Sequence, residues 1–237
     1  MALKEQRIAL LLEQVGQLRD RYDGLHLKFR RTTAYLVGNL EFRAKRGQET
    51  FSDNYLVDLC FPHDYPLKPP AVKETGGRIA RNVDHHVYPD GTLCLGPPLK
   101  VLREFGKNPT VLWFIEDILI PTLFWHTYYR IHPQTPLATY THGDKGIREY
   151  REQTDLKELY FEIFQTNSLS AVLRFLEMIG KENTFCDSQT CPCNSGKSLG
   201  DCHGGLLRSV ASMPYLKPAY LAEDYWSLKD KHRIGKK

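Results

Sequence analysis

The 237-residue chain has no long hydrophobic run. None outlasts Ile8–Leu12, far short of the roughly 20 apolar residues that span a bilayer, so no membrane span is expected. Met1-Ala2-Leu3-Lys4-Glu5 brings an acid early and offers no small-residue cleavage site, so no export leader is expected either. Internal repeats and low-complexity segments are missing, and 41% hydrophobic with 25% charged residues excludes a disordered chain. An excess of one charge is also missing from most of the sequence. Residues 229–237 hold five cations and one acid, a surplus equal to the whole net charge of +4, so everything before Lys229 balances to zero. A nucleic-acid-binding stripe is therefore not expected, and the basic excess reads as a solubilising tail over 211–237. Cysteine is sparse outside one place: Cys60 and Cys94 stand alone, while Cys186, Cys191, Cys193 and Cys202 fall within 17 residues. That distribution excludes a disulfide-stapled miniprotein and points to metal before disulfides. The expectation is a soluble, cytoplasmic protein.

The patterning that is present begins with an amphipathic helix. Ile8, Leu11, Leu12, Val15, Leu18 and Tyr22 recur at three- and four-residue steps, with Gly24 placed to stop it. The period then changes to two. Leu25, Leu27 and Phe29 alternate with polar residues, as do Leu40, Phe42 and Ala44, and Tyr55, Val57, Leu59 and Phe61 then alternate with Leu56, Asp58 and Cys60. Turn-rich linkers at Arg46-Gly47-Gln48 and Ser52-Asp53-Asn54 make an antiparallel meander the simplest arrangement. Tyr65-Pro66-Leu67-Lys68-Pro69-Pro70 follows as a stiff elbow, because each proline fixes φ and removes a donor. A short fourth strand is expected near Ala71–Glu74, then a long loop over 76–109. Thr110 is placed to cap a helix over Val111–Trp125 that Pro121 should kink or split. Further amphipathic helices are marked by Leu156, Leu159, Tyr160, Ile163 and Phe164, and by Leu169, Val172, Leu173, Leu176 and Ile179 up to Gly180. This order predicts an α+β fold.

Within the long loop, Pro89-Asp90-Gly91 reverses the chain and delivers Cys94 shortly after the turn. A cysteine thiolate attacks carbonyls well, and the thioester it forms stays reactive towards amines. His86, eight residues earlier, can return across the turn and donate to the oxyanion of a tetrahedral intermediate. The same residues also suit a buried structural cysteine beside backbone-bonded histidines, and the chemistry alone does not separate the two. His126, His132 and Asp117 are candidates for a proton acceptor to an incoming amine, although a half-buried ring at a helix end is the stronger reading of His126 and the solvent face of an apolar helix that of Asp117.

Tyr65-Pro66-Leu67-Lys68-Pro69-Pro70 followed by Asp90-Gly91-Thr92-Leu93-Cys94-Leu95, after a helix and alternating strands, resembles the ubiquitin-conjugating enzyme (UBC) family. The resemblance implies a UBC-like fold over 1–150, built from an N-terminal helix, a four-stranded antiparallel meander and C-terminal helices. It also implies Cys94 as the thioester-forming nucleophile. Where the family has His-Pro-Asn this chain has Asp84-His85-His86, so the oxyanion-stabilising asparagine corresponds to His86. Residues 97–109 are unlike the short segment that follows the cysteine in typical members.

Cys191-Pro192-Cys193 and Cys202-His203 form two ligand pairs with eight residues between them, three sulfurs and one imidazole suited to a closed, structural Zn²⁺ site. With Ser195-Gly196-Lys197 between the pairs, the pattern resembles the SEC-C motif, a small zinc module. The expected division is a conjugating-like catalytic domain at 1–150, a helical extension at 151–184, a SEC-C-type module at 185–210 and the basic tail. Together the resemblances imply a bacterial ubiquitin-conjugating-like acyltransferase of CBASS anti-phage defence. It would carry the C-terminus of a cGAS/DncV-like nucleotidyltransferase, or of a ubiquitin-like protein, on Cys94 and pass it to an acceptor lysine. The alternative is a non-catalytic UBC-fold adaptor whose SEC-C module docks a partner.

Overall fold

Alternation at period two requires each strand to bury one face, and the sheet follows that rule. The computed structural model describes residues 2–180 and 185–234. The chain enters through α1 (Ala2–Gly16) and then forms β1 (Leu25–Arg30), β2 (Thr33–Arg46), β3 (Glu49–Phe61) and β4 (Ala71–Glu74). The four strands make one antiparallel sheet in sequential order. Pairing Ala34 with Phe61, Leu36 with Leu59 and Leu40 with Tyr55 puts all six side chains on the buried face. Gly38 sits in the middle of β2 at φ 143°, where a Cβ would lie 1.9 Å from the Gly24 carbonyl oxygen, so only glycine fits.

After β4 come α2 (Pro98–Lys107), α3 (Val111–Trp113), a π-helical stretch (Phe114–Leu119) and α4 (Ile120–Ile131). Thr110 caps α3, its hydroxyl accepting from Trp113 N at 3.2 Å. Pro121 does not split the helical run of 111–131, which continues as α4 to Ile131. Lacking an N–H, it leaves the ladder to widen just before it, and Ile120 N reaches back to Ile115 O. Phe114, Ile115, Ile118, Leu119 and Leu123 from this run, with Leu11 and Leu18, cover the sheet and form the first core. Gln14 ties three pieces together, accepting from Tyr65 Oη (2.5 Å) and Val111 N (3.1 Å).

The remaining helices are α5 (Gly143–Glu152), α6 (Leu156–Phe164), α7 (Leu169–Gly180), α8 (Gly204–Ala211) and α9 (Pro218–Ile234). They build a second core around Leu159, Tyr160, Phe164, Val172, Phe175, Leu207 and Leu221. Asp224, fully buried, accepts from Tyr160 Oη (2.7 Å) and pairs with Arg151 (2.5 Å), fastening α9 to α5 and α6. Helix α2 serves both cores: Val101 and Phe105 face the first, Leu99 and Leu102 the second.

The architecture is α+β with a four-stranded antiparallel meander, as expected. Three further expectations need correction. The stretch 76–109 is not loop throughout, since it contains α2 and a short 3-10 turn at Val83–His85. Helix α1 stops at Gly16, not near Gly24, and gives way to turns. The expected tail at 211–237 contains α9, with Tyr220, Leu221 and Leu228 buried. Residues 181–184, the end of the expected helical extension, and the lysine-rich 235–237 lie outside the described residues. No described helix is long and apolar enough to cross a membrane.

Candidate active site and metal centre

Residues 86–94 form a miniature hairpin around Pro89-Asp90-Gly91. Val87 bridges to Leu93, Tyr88 N bonds Thr92 O (2.8 Å), and Cys94 N bonds His86 O (2.7 Å). Gly91 takes φ 84° at the turn. Asp90 stiffens the turn by accepting from Thr92 N (3.0 Å) and Thr92 Oγ1 (2.9 Å). Two backbone ties, Leu93 N to Val72 O (2.8 Å) and the Lys73–Thr92 bridge, fix the hairpin to β4. Because alternate residues share a face, Val87 and Leu93 go into the core while His86, Tyr88, Thr92 and Cys94 share the other side. His86 is thus directly opposite Cys94, and Tyr88 is its diagonal neighbour.

Cys94 is 8% exposed and lies against a cleft of about 160 Å³ that is its route to solvent. The cleft is walled by His86, Gly96, Lys100, Asp117, His126 and the 137–141 segment. Burial pushes the Cys94 thiol above its usual range, and the neighbouring Tyr88 side chain opposes that shift. The sulfur also points to Gly96 O at 3.9 Å. Burial, then the neighbouring His142, hold His86 below its ordinary value, so the ring is neutral near pH 7 and has one N–H to donate. His86 adopts the left-handed backbone (φ 53°), with its N–H on Val83 O.

His126 and Asp117 both line the cleft, so two of the three candidate acceptors are brought together there. Their environments differ. Burial, followed by His86 and His85, depresses His126 to about 4. Asp117 is exposed, and its carboxyl is raised by partial burial and then by Glu116 and Glu104, in the direction that suits a proton acceptor. Glu116 is occupied elsewhere, with Arg21 at 2.5 Å and Tyr22 at 3.3 Å.

Three aromatic residues at this site escape a sequence reading of the cysteine and its histidine. Tyr88 stacks on Tyr215 with centroids 3.4 Å apart and planes 6° apart, and Tyr215 Oη donates to Asp90 Oδ1 (3.2 Å). The His142 ring lies 4.8 Å from Tyr88 and 5.5 Å from His86. Its Nε2 is buried without a hydrogen-bond partner. Tyr88 could have been found by carrying the two-residue period through the Pro-Asp-Gly turn. His142 and Tyr215 carry no local signal.

The second constellation follows the spacing of its ligands. Cys191, Cys193, Cys202 and His203 place their ligand atoms within 4.8 Å of one another. Cys191 Sγ and Cys202 Sγ are 3.2 and 3.1 Å from His203 Nδ1, and Cys193 Sγ is 3.5 Å from Cys202 Sγ. A tetrahedral ion with bonds of about 2.0–2.3 Å would hold its donors about 3.3–3.8 Å apart, so the set is compatible with zinc. His203 Nε2 lies 2.8 Å from Phe164 O. Donation there leaves the Nδ1 lone pair facing the sulfurs, the orientation a metal-bound imidazole needs. Left-handed Asn194 (φ 63°) and Gly196 (φ 74°) curl the first pair into a knuckle closed by Cys191 N to Lys197 O (2.9 Å). Cys186 is exposed, paired with Ser188 Oγ at 3.1 Å, and is not part of the cluster.

Compared with protein-family models, curated proteins and solved structures, the chain matches none of them.

Proposed function

We propose that this chain is a ubiquitin-conjugating-like acyltransferase that carries a partner protein's C-terminus on Cys94 as a thioester. The observation that supports it most is the hairpin that sets neutral His86 across from Cys94 at the base of a cleft. Cys94, as thiolate, attacks an activated carbonyl supplied by a separate adenylating partner and expels its leaving group. The His86 N–H is available to the oxyanion. An acceptor lysine amine then attacks the thioester, its proton passes to Asp117 or water, and the Cys94 sulfur departs. Cys191, Cys193, Cys202 and His203 would hold Zn²⁺ as a structural clamp, away from the chemistry. By analogy of sequence motifs, the setting is cytoplasmic CBASS anti-phage defence in bacteria. The carried protein would be a cGAS/DncV-like nucleotidyltransferase or a ubiquitin-like protein.

One observation favours the alternative, a UBC-fold adaptor without chemistry: Cys94 is largely covered and its thiol is raised. The two readings separate cleanly. Protein isolated from its host with thiols protected should show an adduct on non-reducing gels that hydroxylamine releases, and Cys94→Ser should leave a longer-lived oxyester. If neither accumulates with either partner class and an adenylating enzyme, the adaptor reading stands.

A further inference from the structure

A buried thiolate is poorly solvated and needs a donor to replace lost water. His86 cannot serve both the sulfur and the oxyanion with the single N–H of a neutral ring. Two other polar side chains share the hairpin face with Cys94. Thr92 Oγ1 is spent on Asp90 (2.9 Å), which leaves Tyr88, the diagonal neighbour of Cys94 across the turn, and the Tyr88 and Cys94 groups interact electrostatically. What holds Tyr88 comes from much later in the chain. Tyr215 lies flat on its ring and bonds Asp90, the residue that stiffens the hairpin turn. Tyr215 takes φ 64°, a conformation that non-glycine residues seldom adopt, and local stability is given up to present the ring. The segment is fastened on both sides. Before it, Ser209 Oγ donates to Asp64 (2.7 Å) and Ser212 Oγ accepts from Lys68 (3.0 Å). After it, Leu216 is buried and Lys217 pairs with Asp144 at 2.5 Å.

We infer that Tyr215 is a positioning residue for the Cys94 centre: stacked on Tyr88, it holds the Tyr88 hydroxyl as the hydrogen-bond donor to the Cys94 thiolate. This deepens the acyl-transfer reading and rests on it for its biological meaning, while its physical content concerns Cys94 alone. The C-terminal helices thereby take part in setting the reactivity of a sulfur over a hundred positions upstream.

The test is alkylation of Cys94 by iodoacetamide in the full, zinc-loaded chain across a pH series, read by peptide mass spectrometry so that Cys60 and Cys186 are counted separately. Tyr88→Phe keeps the stack and loses the donor, and should move the alkylation midpoint upward by about one pH unit. Tyr215→Ala should shift it in the same direction, and Tyr215→Phe, which keeps the ring, should stay near wild type. The double variant Tyr88→Phe/Tyr215→Ala should shift no further than Tyr88→Phe, because both changes act through one bond. An unmoved midpoint in either Tyr88→Phe or Tyr215→Ala overturns the inference. So does faster alkylation of Tyr215→Ala at every pH, which would make Tyr215 a cover over the sulfur. No acyl donor is needed, so shifts without any host adduct would sink the transferase and spare the positioning role. An adduct without shifts would do the reverse.

Discussion

His86 is an unusual donor because its usefulness depends on staying uncharged, and burial beside His142 keeps it so. In the proposed transfer, His86→Asn, which restores an amide N–H, should retain most of the rate. His86→Ala should lose about 100-fold, the order seen when one oxyanion donor is removed, as measured by single-turnover discharge to lysine. His126 has a different consequence. Its folded pKa, about 4, is below the ordinary 6.5, so the unfolded chain binds the proton first as pH falls. The stability it contributes is complete above pH 6.5, drains away between 6.5 and 4, and amounts to about 3 kcal/mol at most. Urea midpoints for His126→Gln should therefore fall less steeply than wild type through that window; parallel curves would contradict the assignment. At this scale Cys94 and His86 were legible because a Pro-Asp-Gly turn and two neighbouring motifs lie within one stretch of sequence. Tyr215 was not, since nothing local announces a contact made over more than a hundred residues.

Elements decide how the cleft is shaped. Helix α5 passes so close to the segment before it that a Cβ on Gly146 would lie 1.7 Å from Thr141 O. Gly146→Ala must displace the 137–141 wall, and the same iodoacetamide assay should report a changed Cys94 rate even though the substitution touches neither sulfur nor histidine. Helix α6 starts at Asp155, whose carboxylate accepts from Lys157 N (2.8 Å) and Glu158 N (3.3 Å). Asp155→Ala should cost about 1 kcal/mol by denaturant melts. The strands and helices α6 and α7 were readable because each buries one clean stripe. Helix α2 was not, because Leu99 and Leu102 face one core and Val101 and Phe105 the other, which blurs any single period. Helix α5 offers only Ile147 and Tyr150 as large buried side chains, too little pattern to register.

For the whole molecule the cluster of Cys191, Cys193, Cys202 and His203 is a structural joint. Leu199 and Cys191 are buried in the second core, and His203 bonds Phe164 O, so the cluster closes α6, α7 and α8 together. Chelation should lower the melting temperature and, by releasing the segment that carries Tyr215, shift Cys94 alkylation upward as Tyr215→Ala does; Zn²⁺ should reverse both. An unchanged melting curve after verified metal loss would remove this role. The clustering of these four side chains was legible from spacing, whereas the helices around them were not, since α9 reads as a charged run until Tyr220, Leu221, Asp224 and Leu228 are seen to face inward.

Helix α2 gives one face to each core. Cut the gene after residue 150, and Leu99 and Leu102 become a greasy stripe on the surface of the fragment. Such a fragment should clump when expressed, and grafting a foreign appendage onto it would succeed only if the graft brought a matching ridge. The two halves have to be engineered as one unit.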